Sequence, residues 1–438
     1  MKINIKQEFD LVKANTKTSL GLMVEVTAPS SLSTEIVSRT NSAFVFVVDT
    51  SGSMGGGRLE LIKDSLLAIW AELRPEDYFG IVKFENTANV VVGLKKKSEL
   101  DANHVRRSIG NLVPGGGTSI EAGLRLGLAE AASTPEAMEA TVILLSDGQA
   151  NHGEVRPEVL GQLAAQATEH LITVSTFGIG RDYDDKILDQ LSVSGNGNHF
   201  AGLTLEELHT GLRNEVEDLL SKTVKDLKIE FLGSQSAPTN LRINAIQRLR
   251  KFTRQSGGGL AEIGDLAEEE IRSLLFEVEL PSGIDLGHQG VIAEVKLSWL
   301  DVNTGNECSE THFVTISSLS ADDYIEPAKD EDIVAEMAIY RAGLIHEEII
   351  RLFEAGLPEE ARLLAANSGN EFTHLLNRLQ STSLRQWDRL NEHVTNFMDV
   401  EGQDMMFNIK KSREISNRAL RAKKSSLESR KPIQDEEI

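Results

Sequence analysis

Ala43-Phe44-Val45-Phe46-Val47-Val48-Asp49-Thr50-Ser51-Gly52-Ser53-Met54, followed by glycines at 55–57, is the stretch on which the reading of the chain turns. Six consecutive apolar residues without polar alternation mark a strand buried on both faces of a parallel sheet. The run ends on a carboxylate and enters a loop with hydroxyls at alternate positions. In an extended loop, positions 49, 51 and 53 can face one way. That arrangement places one carboxylate and two hydroxyls around a common point. The glycines that follow let the backbone bend closely behind them. A hard cation takes oxygen ligands of this kind, and magnesium keeps several waters and needs few carboxylates.

Outward from this stretch, short apolar runs alternate with helical patterns. The runs are Gly80–Phe84, Thr141–Leu145 and Ile172–Phe177. The helical patterns are Leu59–Leu73, Asp101–Leu112, Ile120–Ala132, Val155–His170 and Asp184–Leu191. Thr204-Leu205-Glu206-Glu207 reads as a capping box opening a last helix to about Lys222. The pattern over residues 42–222 predicts an α/β domain with a doubly wound, mostly parallel sheet. Thr141–Leu145 runs through Ser146 into Asp147, so a second strand also delivers a carboxylate at its end. Ligands of open α/β sheets bind at the carboxyl ends of strands, near a topological switch point. Gly115-Gly116-Gly117-Thr118 adds a flexible loop ahead of a helix, with a third hydroxyl.

Asp-x-Ser-x-Ser after a buried strand, a later Gly-Gly-Thr, and Leu-Ser-Asp-Gly after another buried strand together resemble the von Willebrand factor A family. They look like its metal-ion-dependent adhesion site, and all five positions match: Asp49, Ser51, Ser53, Thr118 and Asp147. The resemblance implies a Rossmann-like domain over 42–222. It implies that Ser51 and Ser53 ligate a divalent ion directly, Mg2+ or alternatively Mn2+ or Ca2+. Thr118 would join them in the ligand-bound form, and Asp49 and Asp147 would act mostly through bound waters. One coordination position would stay open for an Asp or Glu carboxylate of a partner protein. Charge counting agrees, because a dication among neutral hydroxyls keeps residual positive charge. Singly, each residue has a plainer reading: Asp49 could start a turn with Gly52, Asp147-Gly148 is an ordinary turn pair, and Thr118-Ser119-Ile120-Glu121 fits a capping box. Gly264-Asp265-Leu266, then Glu270-Ile271-Arg272 and a strand ending at Pro281, resemble the β-domain of multi-domain bacterial proteins with A domains. That likeness implies work in multi-protein assemblies, among them those of AAA-type ATPases.

Beyond the α/β pattern, residues 223–320 read as strands: Leu227–Leu232, Leu241–Ile246, Ile271–Leu280, Val291–Leu300 and His312–Ser317. Turn signals separate them and helices are absent, which predicts a β-sandwich. Leu20–Thr27, within residues 1–41, also reads as a strand and is expected to join that sandwich, making the A-type domain an insertion. Residues 328–424 read as a helical domain. Met337, Tyr340 and Leu344 share one face, as do Ile345, Ile349 and Leu352, and Gly356-Leu357-Pro358 breaks one helix and starts another. Further helices are expected over Glu359–Leu379, Leu384–Met398 and Gln403–Lys424, and a disordered polar tail over 425–438. Met405-Met406-Phe407 is expected to pack on the helices. The basic segment 410–431 reads either as a docking segment for an acidic partner or RNA, or as a solvated helix face.

The whole chain narrows the function classes. It has 438 residues, a formal charge of −22 and one cysteine, Cys308. The charge disfavours nucleic acid as the main ligand. One thiol excludes an intrachain disulfide and four-thiolate zinc. No run of 18 apolar residues exists, so no membrane span is expected. The charged start, MKINIKQEFDLVKANTK, does not read as a secretory signal, and a cytoplasmic location is expected. His346-Glu347-Glu348 lacks the second histidine of a zinc helix, and no phosphate-binding Gly-x-x-x-x-Gly-Lys loop occurs. The leading expectation is a metal-dependent binding or scaffold protein, not an enzyme. The rival is a magnesium-dependent hydrolase of phosphate esters, for which no general base is identifiable.

Overall fold

The computed structural model describes residues 1–30, 41–135, 138–180, 183–202, 205–233, 241–249, 251–255, 257–282 and 290–379, with a few positions beyond. The chain divides into two compact units, chiefly Met1–Arg39 with Ser221–Glu401, and Thr40–Leu220. The first unit opens with β1 (Lys2–Gln7), β2 (Leu11–Lys13) and β3 (Thr18–Thr27). The second holds β4 (Ala43–Asp49), α1 (Arg58–Glu72), β5 (Tyr78–Phe84), β6 (Ala88–Lys96), α2 (Ala102–Gly110) and α3 (Ile120–Ala131). It continues through β7 (Ala140–Ser146), α4 (Pro157–Thr168), β8 (Ile172–Ile179), α5 (Asp185–Ser194), β9 (Asn196–Gly202) and α6 (Leu205–Leu220). The chain then returns to the first unit with β10 (Lys222–Gly233), β11 (Arg242–Ala245), β12 (Lys251–Gln255), β13 (Gly258–Ala267) and β14 (Ile271–Leu280). That unit ends with β15 (Gly290–Asp301), β16 (Asn306–Leu319), α7 (Glu331–Glu354), α8 (Pro358–Arg378) and β17 (Lys423–Lys424).

The α/β unit is built on one sheet of order β6-β5-β4-β7-β8-β9, parallel except where β6 runs against β5. The chain leaves β4 toward β5 and later crosses back to β7, so the strand order reverses between β4 and β7. That is the switch point at which a crevice opens. Alternate residues of β4 explain its unbroken apolar run. Phe44, Phe46 and Val48 pack with Ile62, Leu66, Ile109 and Leu212 on one face. Val45 and Val47 pack with Leu124, Ala164 and Leu188 on the other. α3 crosses β4 so closely that a Cβ on Gly127 would lie 2.3 Å from Val47 Cγ2. Gly127→Ala is therefore expected to destabilise this unit by about 1–3 kcal/mol through overpacking, read as a lower denaturation midpoint.

Two of its strands escape sequence reading. β9 is Asn-Gly-Asn-His-Phe-Ala-Gly, poor in strand formers. It is recruited by parallel pairing to β8 and by Phe200 stacking on Phe177 at 4.6 Å. β6 is an edge strand, half exposed, without a continuous buried run.

The β unit contains two sheets. One has the order β1-β3-β14-β11, with β17 also on β14; the other runs β12-β13-β10-β15-β16-β2. β3 pairs with β14 over its whole length, from Thr18 opposite Leu280 to Thr27 opposite Ile271. Leu22, Val24 and Val26 share one core with Phe231, Phe276, Val295 and Leu297. The N-terminal strand therefore completes the sandwich as expected, and the α/β unit is an insertion in it. The opposite face of β3 and β14 is covered by α7, where Met23 and Leu275 meet Ile333, Met337 and Tyr340. Leu344, third in the expected stripe, is exposed. Asp330 caps α7 by accepting from the backbone N–H groups of Asp332 and Ile333.

The helix expected over Gln403–Lys424 does not hold at its end. Lys423 and Lys424 pair with Arg272 and Ile271, where β14 runs beyond its neighbour β11 and offers unpaired backbone. Thr204, most of Leu384–Met398, most of the rest of Gln403–Lys424, Met405-Met406-Phe407, most of segment 410–431 and the tail 425–438 lie outside the described residues. Among the described residues no helix is long and apolar enough to cross a membrane.

Candidate metal centre

β4 and β7 pair with Val48 opposite Leu145, which sets Asp49 beside Ser146, one residue before Asp147. Register alone thus brings both expected carboxylates to one point on the sheet edge. Asp49 is fully buried, and both its oxygens are engaged. Oδ1 accepts from the Ser51 backbone N–H at 2.7 Å, and Oδ2 accepts from Ser146 Oγ at 2.5 Å. Ser51 leads a single 3-10 turn, Gly52–Met54, whose Met54 is buried in the core beside β4. That anchor fixes the hydroxyls on either side of Gly52. Ser51 Oγ and Ser53 Oγ lie 3.0 Å apart, and Ser53 Oγ donates to Asp147 Oδ1 at 2.7 Å. Ser53 is exposed, so the site opens to solvent there.

The loop bearing Thr118 is clamped against this first loop. Gly52 N–H donates to the Gly116 carbonyl at 3.2 Å, and Gly115 N–H to the Thr50 carbonyl at 2.8 Å. Gly116 takes a left-handed φ of +74°, which the turn requires. Thr118 is held by Asn151, which accepts from its backbone N–H at 2.9 Å and donates back to its carbonyl at 3.0 Å. The helix cap is Ser119, whose side chain accepts from Ala122 N–H, so capping does not fall on Thr118 as the sequence alternative had it. A Cβ built on Gly148 would lie 3.0 Å from Thr118 Oγ1 and 3.4 Å from Ser53 Oγ. The two hydroxyls therefore converge over a residue that has no side chain to fill the space between them.

All five expected residues meet in one place. The donor set is two buried carboxylates and three hydroxyls, all oxygen, which suits a hard dication. The plainer turn of Asp49 with Gly52 does not form: the Asp49 carboxylate accepts from the Ser51 N–H, while the Gly52 N–H goes across to the Gly116 carbonyl. The sequence reading did not single out Ser146 and Asn151 as supports, nor Arg58, whose guanidinium donates to Asp147 Oδ2 and, at 3.2 Å, to the Ser53 carbonyl. Ser146 stood inside the quoted Leu-Ser-Asp-Gly. Arg58 and Asn151 reach the site through loop geometry that no local pattern encodes.

Burial pushes the Asp49 carboxyl up from 3.8 to about 6, against the hydrogen bonds from Ser146 and Ser51, which lower it. The folded value lies above the ordinary one, so protonation of Asp49 favours the metal-free fold. That contribution is fully present below about pH 4 and is lost as pH rises through 6, about 3 kcal/mol in all. Metal-free protein is accordingly expected to melt at lower temperature at pH 7.5 than at pH 5. Asp49→Asn is expected to flatten this dependence, and melting curves in chelator across that range check it.

Residues 44–214 match the family model described as von Willebrand factor type A domain. The chain carries a von Willebrand factor type A domain. An uncharacterized protein of Synechocystis sp. is 28% identical to the chain over 273 residues, 59% of this chain and 61% of that protein. The uncharacterized protein YfbK of Escherichia coli is 28% identical over 267 residues, 59% of this chain and 45% of its own length. Human inter-alpha-trypsin inhibitor heavy chain H3 is 26% identical over 243 residues, 53% of this chain and 26% of that one. The chain thus spans less than two thirds of the length of each of these relatives. Among solved structures, a von Willebrand factor type A protein of Catenulispora acidiphila superposes with a TM-score of 0.65 at 18% identity, over 84% of this chain and 87% of that one. The ArnB paralog VWA2 of Sulfolobus acidocaldarius gives 0.61 at 16% identity, over 95% and 97%. These two share the fold, and the coverage extends well beyond the A domain. A domains typically mediate protein–protein interaction or adhesion and typically bind a divalent metal.

Proposed function

We propose that this chain is a binding protein whose A domain holds a divalent cation and uses it to capture an acidic side chain of a partner protein. The observation that carries this reading is the closed arrangement of Asp49, Ser51, Ser53 and Asp147, with Thr118 converging on Ser53 over Gly148. Ser51, Ser53 and Thr118 would hold the ion directly. Asp49 already accepts two hydrogen bonds from the protein, and Asp147 accepts from Ser53 and Arg58. Both carboxylates would act through water, in keeping with these engaged oxygens, and leave the inner ligands neutral. A bound dication supplies an electrophilic position that a carboxylate fills. Magnesium suits an oxygen set poor in carboxylates, with manganese or calcium as substitutes.

The β unit and its helices would carry the A domain within an assembly, and the resemblance points to AAA-type ATPases as partners, in the cytoplasm. Affinity capture from native lysate with magnesium should retain a partner that is lost in chelator and lost with Asp49→Ala. Equal capture under all three conditions would overturn the proposal. Turnover of a simple phosphate ester that disappears in Asp147→Ala would instead favour hydrolysis.

A further inference from the structure

We infer that Arg58 is an internal counter-cation that sets the charge of the metal site and shifts its preference from cations toward anions. This inference rests on the metal-binding reading and deepens it. Arg58 is the first residue of α1, reached through Gly56 and Gly57 at φ +70° and +98°, which turn the chain back toward the site. Its Nη1 donates to Asp147 Oδ2 and to the Ser53 carbonyl at 3.2 Å. The guanidinium lies against Gly180, itself at φ +78°, where a Cβ would come within 3.2 Å of Nη2. The fold thus leaves a seat for this group. The Asp147 side chain is fully buried, whereas Arg58 keeps 35% of its exposure, so the pair is anchored on the carboxylate side and wet on the other.

Formal charge follows directly. Asp49 and Asp147 contribute two negative charges and Arg58 one positive, a total of −1. With a dication the total is +1; without Arg58 it would be zero. The same guanidinium occupies Asp147 Oδ2, while Ser53 occupies Oδ1, so neither oxygen is left unengaged. Arg58 therefore weakens the hold on the cation and strengthens the attraction of the loaded site for a carboxylate. It is a positioning residue, acting through Asp147.

A merely structural Arg58 predicts the opposite sign, since loosening Asp147 would weaken metal binding. The test is Mn2+ titration of the full chain by calorimetry, with acetate then added and followed through water-proton relaxation of the bound Mn2+. Arg58→Gln should tighten Mn2+ about tenfold and weaken acetate by a similar factor, as expected for one unit charge at close range. Arg58→Lys should return both toward wild type. Mn2+ binding by Arg58→Gln that is unchanged or weaker, or a Lys variant indistinguishable from Gln, overturns the inference alone. Wild-type protein with no Mn2+ binding sensitive to Asp49→Asn overturns the underlying reading as well.

Discussion

Replacing Asp49 by Asn is expected to weaken divalent-cation binding about 100-fold, although Asn is nearly the same shape. Loss of an outer-shell carboxylate generally lowers metal affinity by about 10–100-fold. The upper end is expected here because Asp49 accepts from the Ser51 backbone and from Ser146, and so fixes the loop and the strand end together. Asn keeps an acceptor for Ser51 N–H but removes the negative charge that helps hold the ion. The effect separates from folding through ligand linkage. A cation at about 100 times its dissociation constant stabilises the native state by about 2.7 kcal/mol. Wild-type protein should therefore melt higher when magnesium replaces chelator at pH 7.5. Asp49→Asn, at a cation concentration near its own weakened dissociation constant, should keep only about 0.4 kcal/mol of that stabilisation and melt at nearly one temperature in both. An equal magnesium shift in the two proteins would remove Asp49 from the site.

The second large effect lies in the sandwich. Phe276 on β14 packs against Phe231 at 4.6 Å between centroids and Phe252 at 6.2 Å, both from the facing sheet. It is fully buried, and aromatic content is only 5%, so few other rings share that core. Phe276→Ala is expected to cost about 3–5 kcal/mol, transfer and cavity terms together. For a unit of this size that lowers its melting transition by about 10 °C. Calorimetry of the full chain reads this directly, and a drop below about 2 °C would mean that the ring is not part of a close-packed core.

How much of this was legible in the sequence depends on where the information sits. Ala43–Val48 announced a buried parallel strand because both faces of β4 are covered, and its terminal Asp49 lies where such sheets bind ligands. Thr141–Leu145 did the same for Asp147. Leu20–Thr27 could be assigned to the sandwich because strand chemistry stood apart from the helical alternation that follows it. The parts that escaped are those set by tertiary pairing. β9 contains two glycines and two asparagines and exists as a strand because β8 offers it an edge. The stripe Met337, Tyr340, Leu344 announced a helix face, yet nothing local showed that Met337 and Tyr340 would cover β3 and β14 while Leu344 stays exposed. Arg58 follows the same rule: it meets Asp147 from 89 residues away, and no spacing encodes that.

The most direct test of the metal centre is a crystal structure of the full chain grown with Mn2+ and acetate, read through manganese anomalous scattering. A peak is expected about 2.1–2.3 Å from the hydroxyls of Ser51 and Ser53, with Thr118 joining them and an acetate oxygen in the remaining position. A peak ligated directly by both Asp49 and Asp147 with no place for acetate, or no peak between these loops, would contradict it.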